Sequence, residues 1–145
     1  MIKKTKILFI IFLFLNFSSL IFSAENFFEQ GQQKYNEKKF DDSKFLFQRS
    51  IIFNPKDTKS YLYLAKIFKL ENNEKEEEKN INTVLLLDSN NEEAIYILME
   101  IQLKKSNYLK VKELSEKFVK VCKDLCKKNK FILESLKNLE PKNES

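Results

Sequence analysis

Between Phe27 and Leu139 the apolar residues recur at spacings of three and four, and two breaks cut that pattern at a regular interval. Asn54-Pro55-Lys56-Asp57 ends one segment and Asp88-Ser89-Asn90-Asn91 ends the next, which sets Pro55 and Ser89 34 residues apart. Three-and-four spacing marks helices that bury one face. A fixed period of this size makes the repeating unit a pair of helices, too small to bury its apolar face alone, so neighbouring pairs must stack. The chain has one Gly and no His among 145 residues. A lone Gly rules against phosphate-cradling loops and turn-rich β folds. Without His there are no imidazole bases, catalytic triads or His-ligated metals. The expected fold class is all-α.

Laying the segments over one another at that period aligns Phe27, Tyr61 and Ile95, then Gly31, Ala65 and Met99. Further along, Phe40 aligns with Glu74 and Tyr108, Ser43 with Glu77 and Val111, Phe47 with Ile81 and Ser115, and Ser50 with Val84 and Phe118. The pattern resembles the tetratricopeptide repeat, with units of Ala24–Asp57, Thr58–Asn91 and Glu92–Leu125. The best-matching stretches are Gly31…Phe40…Phe47…Asn54-Pro55 and Tyr61…Leu64-Ala65…Leu85…Leu87-Asp88. Glu74, Glu77 and Ser89 depart from the family's aromatic, small residue and closing Pro, and the third unit drifts after Tyr108.

The resemblance implies about three helix-turn-helix repeats in a short right-handed solenoid, sealed by a C-terminal capping helix. It also implies a non-catalytic interaction adaptor that binds a protein or peptide partner in a groove lined by the first helix of each pair. Carried over residue by residue, the groove positions are Phe28, Gln32 and Tyr35, then Leu62, Lys66 and Lys69, then Tyr96, Glu100 and Leu103. The basic clamp with which some members hold a C-terminal carboxylate is represented only by Lys66 and Lys69. Exposed rings beside Lys suit an extended or helical peptide.

Local signals agree with paired helices. Asp57 is placed to cap the helix carrying Tyr61, Leu64, Ala65 and Phe68, and Asn90 with Glu93 reads as a capping box for the helix of Ile95, Leu98 and Ile101. Ala65 falls where two helices approach closely, so Ala65→Leu is expected to cost about 1–3 kcal/mol by overpacking, read by thermal denaturation. Phe131, Ile132, Leu136 and Leu139 are the residues expected to seal the last repeat. Lys127-Lys128-Asn129-Lys130 reads as a turn, although no Gly or Pro interrupts the chain from Lys110 to Glu140.

Lys3, Lys4 and Lys6 precede an apolar run from Ile7 to Leu15, followed by a softer stretch and the small residues Ser23 and Ala24. A basic head, a short apolar core and a small-residue exit describe a secretory signal peptide over 1–23. Cleavage after Ser23 is slightly favoured over Ala24, because Phe22 is bulky three before the second cut. The run falls short of the ~20 apolar residues of a spanning helix. The expected product is a periplasmic protein. The alternative is an inner-membrane-anchored one that keeps Ile7–Phe22 and holds its repeats outside the cytoplasm. The repeats would occupy 24–125, with a capping helix and a disordered polar tail over 126–145.

The formal net charge of +5 is carried largely by the three leader lysines. From Ala24 onward 23 basic residues face 21 acidic ones, so the case for nucleic-acid binding loses its electrostatic support. Glu25 to Leu103 is net −4 and Lys104 to Ser145 net +6, a segregation that allows weak contact between the basic C-terminal segment and anionic membrane. Lys and Glu on helix faces also serve simply to solvate them.

Cys122 and Cys126 are the only thiols, an even count suited to an oxidising compartment. A disulfide between them conflicts with a continuous helix, since residues four apart on a helix keep their Cβ atoms ~5–6 Å apart and a disulfide needs ~3.5–4.5 Å. Either the helix breaks between Val121 and Lys127, or the thiols stay free, or they pair with another chain. A thiol-redox function is the remaining alternative, weakened by a spacing one residue longer than C-x-x-C. Zinc would need ligands the chain lacks, and no metal or other cofactor is expected. Glu74, Glu76, Glu77 and Glu78, interleaved with Lys75 and Lys79, read as a solvated helix face. No nucleophile or general base is set up for catalysis, and the chain is not expected to be an enzyme.

Overall fold

A computed structural model describes residues 26–139. The leader over 1–23 with its exits at Ser23 and Ala24, and the tail after Leu139, lie outside the described residues. Within them the chain forms seven helices and no strand: α1 over 26–36, α2 Phe40–Phe53, α3 Thr58–Leu70, α4 Glu74–Leu87, α5 Glu92–Lys104, α6 Tyr108–Val121 and α7 Lys128–Leu139. Among the described residues no helix is long and apolar enough to cross a membrane. The all-α, helix-turn-helix organisation is therefore the one the 34-residue period requires.

The period is also written into the backbone. Lys38, Asn72 and Ser106 take positive φ values of 59°, 56° and 57°, one in the turn of each helix pair, and they lie 34 residues apart. The residue after each turn starts the second helix. Asn73 and Asn107 do so with side-chain oxygens that accept from the amides of Glu76 and Lys110, satisfying donors that a first helical turn leaves open. Asp57 caps α3 as the sequence suggests, its Oδ1 accepting from Lys59 N and its Oδ2 from Ser60 Oγ. The cap of α5 lies one residue beyond the expected Asn90. Asn91 Oδ1 accepts from Ala94 N, while Asn90 N donates to Asp88 in the preceding turn.

The chain divides into two compact units after Ile67. The first, described over 26–67, centres on Phe47, which is fully buried, with Leu64, Ala65 and Ile67. Three buried serines are tied into this unit: Ser43 Oγ donates to Gly31 O at 2.8 Å, and Ser50 and Ser60 both donate to Asp57. At Gly31 an added Cβ would stand 2.8 Å from the Phe47 ring, so the one glycine is a close-packing residue.

In the second unit α5 packs against α4, α6 and α7. That central position explains why Ala94, Ile95, Ile97, Leu98, Met99 and Ile101 are all buried, a helix apolar around most of its circumference. Ile132 and Leu136 of α7 are buried as a sealing helix requires, whereas Phe131 and Leu139 are 64% and 55% exposed and take no part. The turn expected at Lys127–Lys130 is displaced: Lys128 already begins α7, and the non-helical stretch covers 122–127.

Glu77 departs from the solvated face read from its sequence neighbours, because its side chain is buried. Burial pushes its carboxyl above the usual 4.5, and Lys69 and Lys104 pull it partly back. A raised carboxyl pKa adds stability that is complete below about 4.5 and is lost as pH rises through the folded-state value. Glu77→Gln cannot ionise. It is expected to raise the melting temperature at pH 7 relative to the native chain, with the gain vanishing near pH 4, as read across that range.

Candidate functional site: two aromatic and charged surfaces

In the first unit, α1 and α3 bring together three half-buried rings, Phe28, Tyr35 and Tyr63. Tyr63 is the hub, meeting Phe28 edge-on at 5.7 Å and Tyr35 edge-on at 5.1 Å between centroids, with Phe47 backing it at 5.0 Å. Edge-to-face pairs at such distances suit the charge distribution of the rings and hold the surface rigid. Gln32 Nε2 donates to the Tyr63 hydroxyl at 2.7 Å and fixes its orientation. Two ammonium groups lie over these rings, Lys66 Nζ 4.8 Å from the Tyr63 centroid and Lys59 Nζ 5.7 Å from that of Phe28. Phe28, Gln32, Tyr35 and Lys66 thus share one surface. Leu62 does not join it, since it is buried in the unit's core, only 9% exposed. Tyr63, which organises the surface, was not among the residues that the repeat register selects; its signal was the alternation Tyr61-Leu62-Tyr63, with a second ring two residues on.

In the second unit the Tyr96 hydroxyl donates to Glu100 Oε1 at 2.8 Å, and Lys69 Nζ donates to Glu100 Oε2 at 2.7 Å. Burial, reinforced by Glu100, pushes the Tyr96 phenol up to about 12, so it stays a hydrogen-bond donor throughout the physiological range. Lys128 Nζ lies 4.6 Å over the Tyr96 ring. Leu103 is half-buried on the same helix. The cations expected to clamp a carboxylate are engaged separately, Lys69 in an ion pair with Glu100 and Lys66 against Tyr63.

The two cysteines form a disulfide, Cys122–Cys126, with Cα atoms 5.2 Å apart. The conflict with helical geometry is resolved by the first of the three alternatives, because α6 ends at Val121. Within the bridged loop the amides of Lys123, Asp124 and Leu125 all donate to the Glu92 carboxylate, at 2.7 to 3.3 Å. Those amides, Lys123 first, hold the Glu92 carboxyl below 4.5. Its contribution to stability is therefore present above about 4.5 and lost as pH falls through the lowered value. Glu92→Ala is expected to cost about 1 kcal/mol at pH 7, read by denaturant unfolding, with the difference from the native chain narrowing in acid.

No protein-family model matches the sequence, and no curated protein matches it. Solved structures do match in fold. The Yersinia enterocolitica type III secretion chaperone SycD, in complex with a peptide of the translocator YopD, superposes with a TM-score of 0.70 at 14% identity over 79% of this chain and 92% of that one. The second tetratricopeptide-repeat domain of Spaghetti (RPAP3), bound to the HSP90 peptide SRMEEVD, gives 0.63 at 16% identity over 69% and 93%. The corresponding domain of Sgt2 from Aspergillus fumigatus gives 0.64 at 14% over 84% and 87%. The chain has a tetratricopeptide-repeat-like fold, as the 34-residue register implied.

Proposed function

We propose that this protein is a non-catalytic adaptor of the bacterial cell envelope that binds a peptide segment of another protein. The observation that carries the reading is the cluster of Phe28, Tyr35 and Tyr63, three large rings left half-exposed and rigidly braced, with Lys59 and Lys66 beside them. Such a surface offers apolar anchors at low entropic cost and cations that favour an acidic flank on the ligand. Two proteins of similar fold hold peptides, which supports the same use here. Export to the periplasm rests on the basic and apolar leader together with a disulfide suited to an oxidising compartment. The mass of the mature chain tests it: a chain beginning at Ala24 or Glu25 supports export with cleavage, and retention of Ile7–Phe22 supports the anchored form. A contact of the basic C-terminal segment with anionic lipid would be a weaker, salt-sensitive addition.

Photocrosslinking in intact cells from Tyr35, Lys66 and Tyr96 tests the binding surface. One dominant envelope protein captured from Tyr35 and Lys66 supports the reading, and Tyr63→Ala is then expected to reduce that capture about tenfold, an effect of the size a central aromatic anchor has. Capture from none of these positions, with capture from the segment Lys117 to Lys130, moves the interaction to the basic C-terminal face.

A further inference from the structure

Helix α6 stops at Val121, yet nothing in the sequence there stops a helix. The segment from Lys110 to Glu140 contains no Gly or Pro. The two equivalent breaks upstream carry local signals: Pro55 with Asn54 Oδ1 accepting from Lys56 N at the first, and Asp88 Oδ1 accepting from Asn90 N at the second. Cys122 stands 34 residues after Asp88 and has no oxygen to offer. Instead its backbone turns extended, with φ −63° and ψ 145°, and its sulfur is bonded to Cys126. Since residues four apart on a helix hold their Cβ atoms about 5–6 Å apart, too far for a disulfide, the bridge and a continuous helix through 122–126 exclude each other.

We propose that the Cys122–Cys126 disulfide is a redox latch: oxidised, it holds α7 folded back on α5 and α6, and reduced, it frees the chain to run on as one α6–α7 helix with α7 undocked. Three contacts compete with the open state, namely the Glu92 clamp on the loop amides, the bond from Ser115 Oγ to Asn129 at 2.9 Å, and the burial of Ile132 and Leu136. The bridge adds the constraint that forbids the alternative. Release also strips Lys128 from the Tyr96 ring, so the latch governs how much of that surface is covered.

The chemistry is ordinary exchange. Cys126 is exposed and Cys122 only partly so. A thiolate of a dithiol reductant attacks Cys126 Sγ, the S–S bond breaks and Cys122 leaves as thiolate. The second thiol of the reductant then closes on the first, releasing Cys126. The protein gains two electrons and two protons, and the reductant leaves as its own disulfide.

Hydrogen exchange on the exported chain, oxidised or held in dithiothreitol, tests the latch. The amides of residues 133–139 are expected to exchange at least tenfold faster after reduction, while those of α2 and α4 stay within twofold. The Cys122→Ser/Cys126→Ser variant should show the same acceleration without reductant. Adding Lys127→Gly to that variant should slow the exchange again, because Gly disfavours the interior of a continuous helix and leaves the turn before α7 free to form. Equal exchange in the oxidised and reduced native chain overturns the proposal. So does acceleration that Lys127→Gly leaves unchanged, since the open state would then not be a continuous helix.

Discussion

Phe47→Ala is expected to destabilise the first unit by about 3–5 kcal/mol, the largest effect of any single truncation there. The ring is fully buried, and it touches three things at once: Phe28 at 5.7 Å and Tyr63 at 5.0 Å between centroids, and the bare backbone of Gly31. Removing it opens a cavity that none of them fills easily. Phe28 and Tyr63 are already held by each other and by Tyr35, and Gly31 has no side chain to lean in. Denaturant unfolding with a midpoint shift at unchanged slope is the measurement. A loss under about 1 kcal/mol would mean that the aromatic cluster is not anchored on this ring. The substitution also separates stability from binding: with Phe47 gone, Tyr63 loses its backing, and capture through the ring cluster should weaken even under conditions where the chain stays folded.

The fold was legible because its causes are local. The 34-residue spacing of Pro55 and Ser89 is a sum of short-range events, two helices and two turns, and each leaves its own mark. The turns of the helix pairs at Lys38, Asn72 and Ser106 recur at the same interval, with Asn73 and Asn107 following the last two as caps. The cap of α5 was misplaced by one residue, since Asp88-Ser89-Asn90-Asn91 offers several good capping side chains and only the tertiary path of the chain selects Asn91. The break after Val121 is readable only as one of three alternatives open to the two thiols, since one of the contacts at the loop comes from a carboxylate some thirty residues upstream.

The site was less legible, and for the same reason. Repeat register says which helix face a residue occupies, and the structure brings four of the residues it selects, Phe28, Gln32, Tyr35 and Lys66, to one surface. Register does not say how far a side chain is covered. Register therefore puts Leu62 in the groove while the structure buries it, and the lysines interleaved with Glu77 suggest a solvated face while the structure buries that side chain too. The groove positions carried over from the repeat likewise offer Lys69 as part of a clamp, where Glu100, far along the chain, pairs with it.

Gly31→Leu should cost about 3 kcal/mol, and its cost should depend on Phe47. A Cβ at this position would sit 2.8 Å from Cε1 and 2.9 Å from Cδ1 of that ring, closer than real side chains come, and 3.2 Å from Cζ. The ring has no room to retreat, being wholly buried and packed at a tilt against Phe28 and Tyr63. Gly31→Ala should cost less, about 1 kcal/mol, because better helix propensity offsets part of the clash. The decisive comparison is the double variant Gly31→Leu/Phe47→Ala. If the two positions compete for one volume, the leucine partly refills the space the ring vacates, and the double variant should be more stable than the sum of the single losses by 1 kcal/mol or more, a coupling of the size expected for residues in contact. Additive losses would mean that Gly31 is required for something other than this ring, and the small-residue position that the 34-residue register assigns to Gly31 and Ala65 would lose its packing explanation.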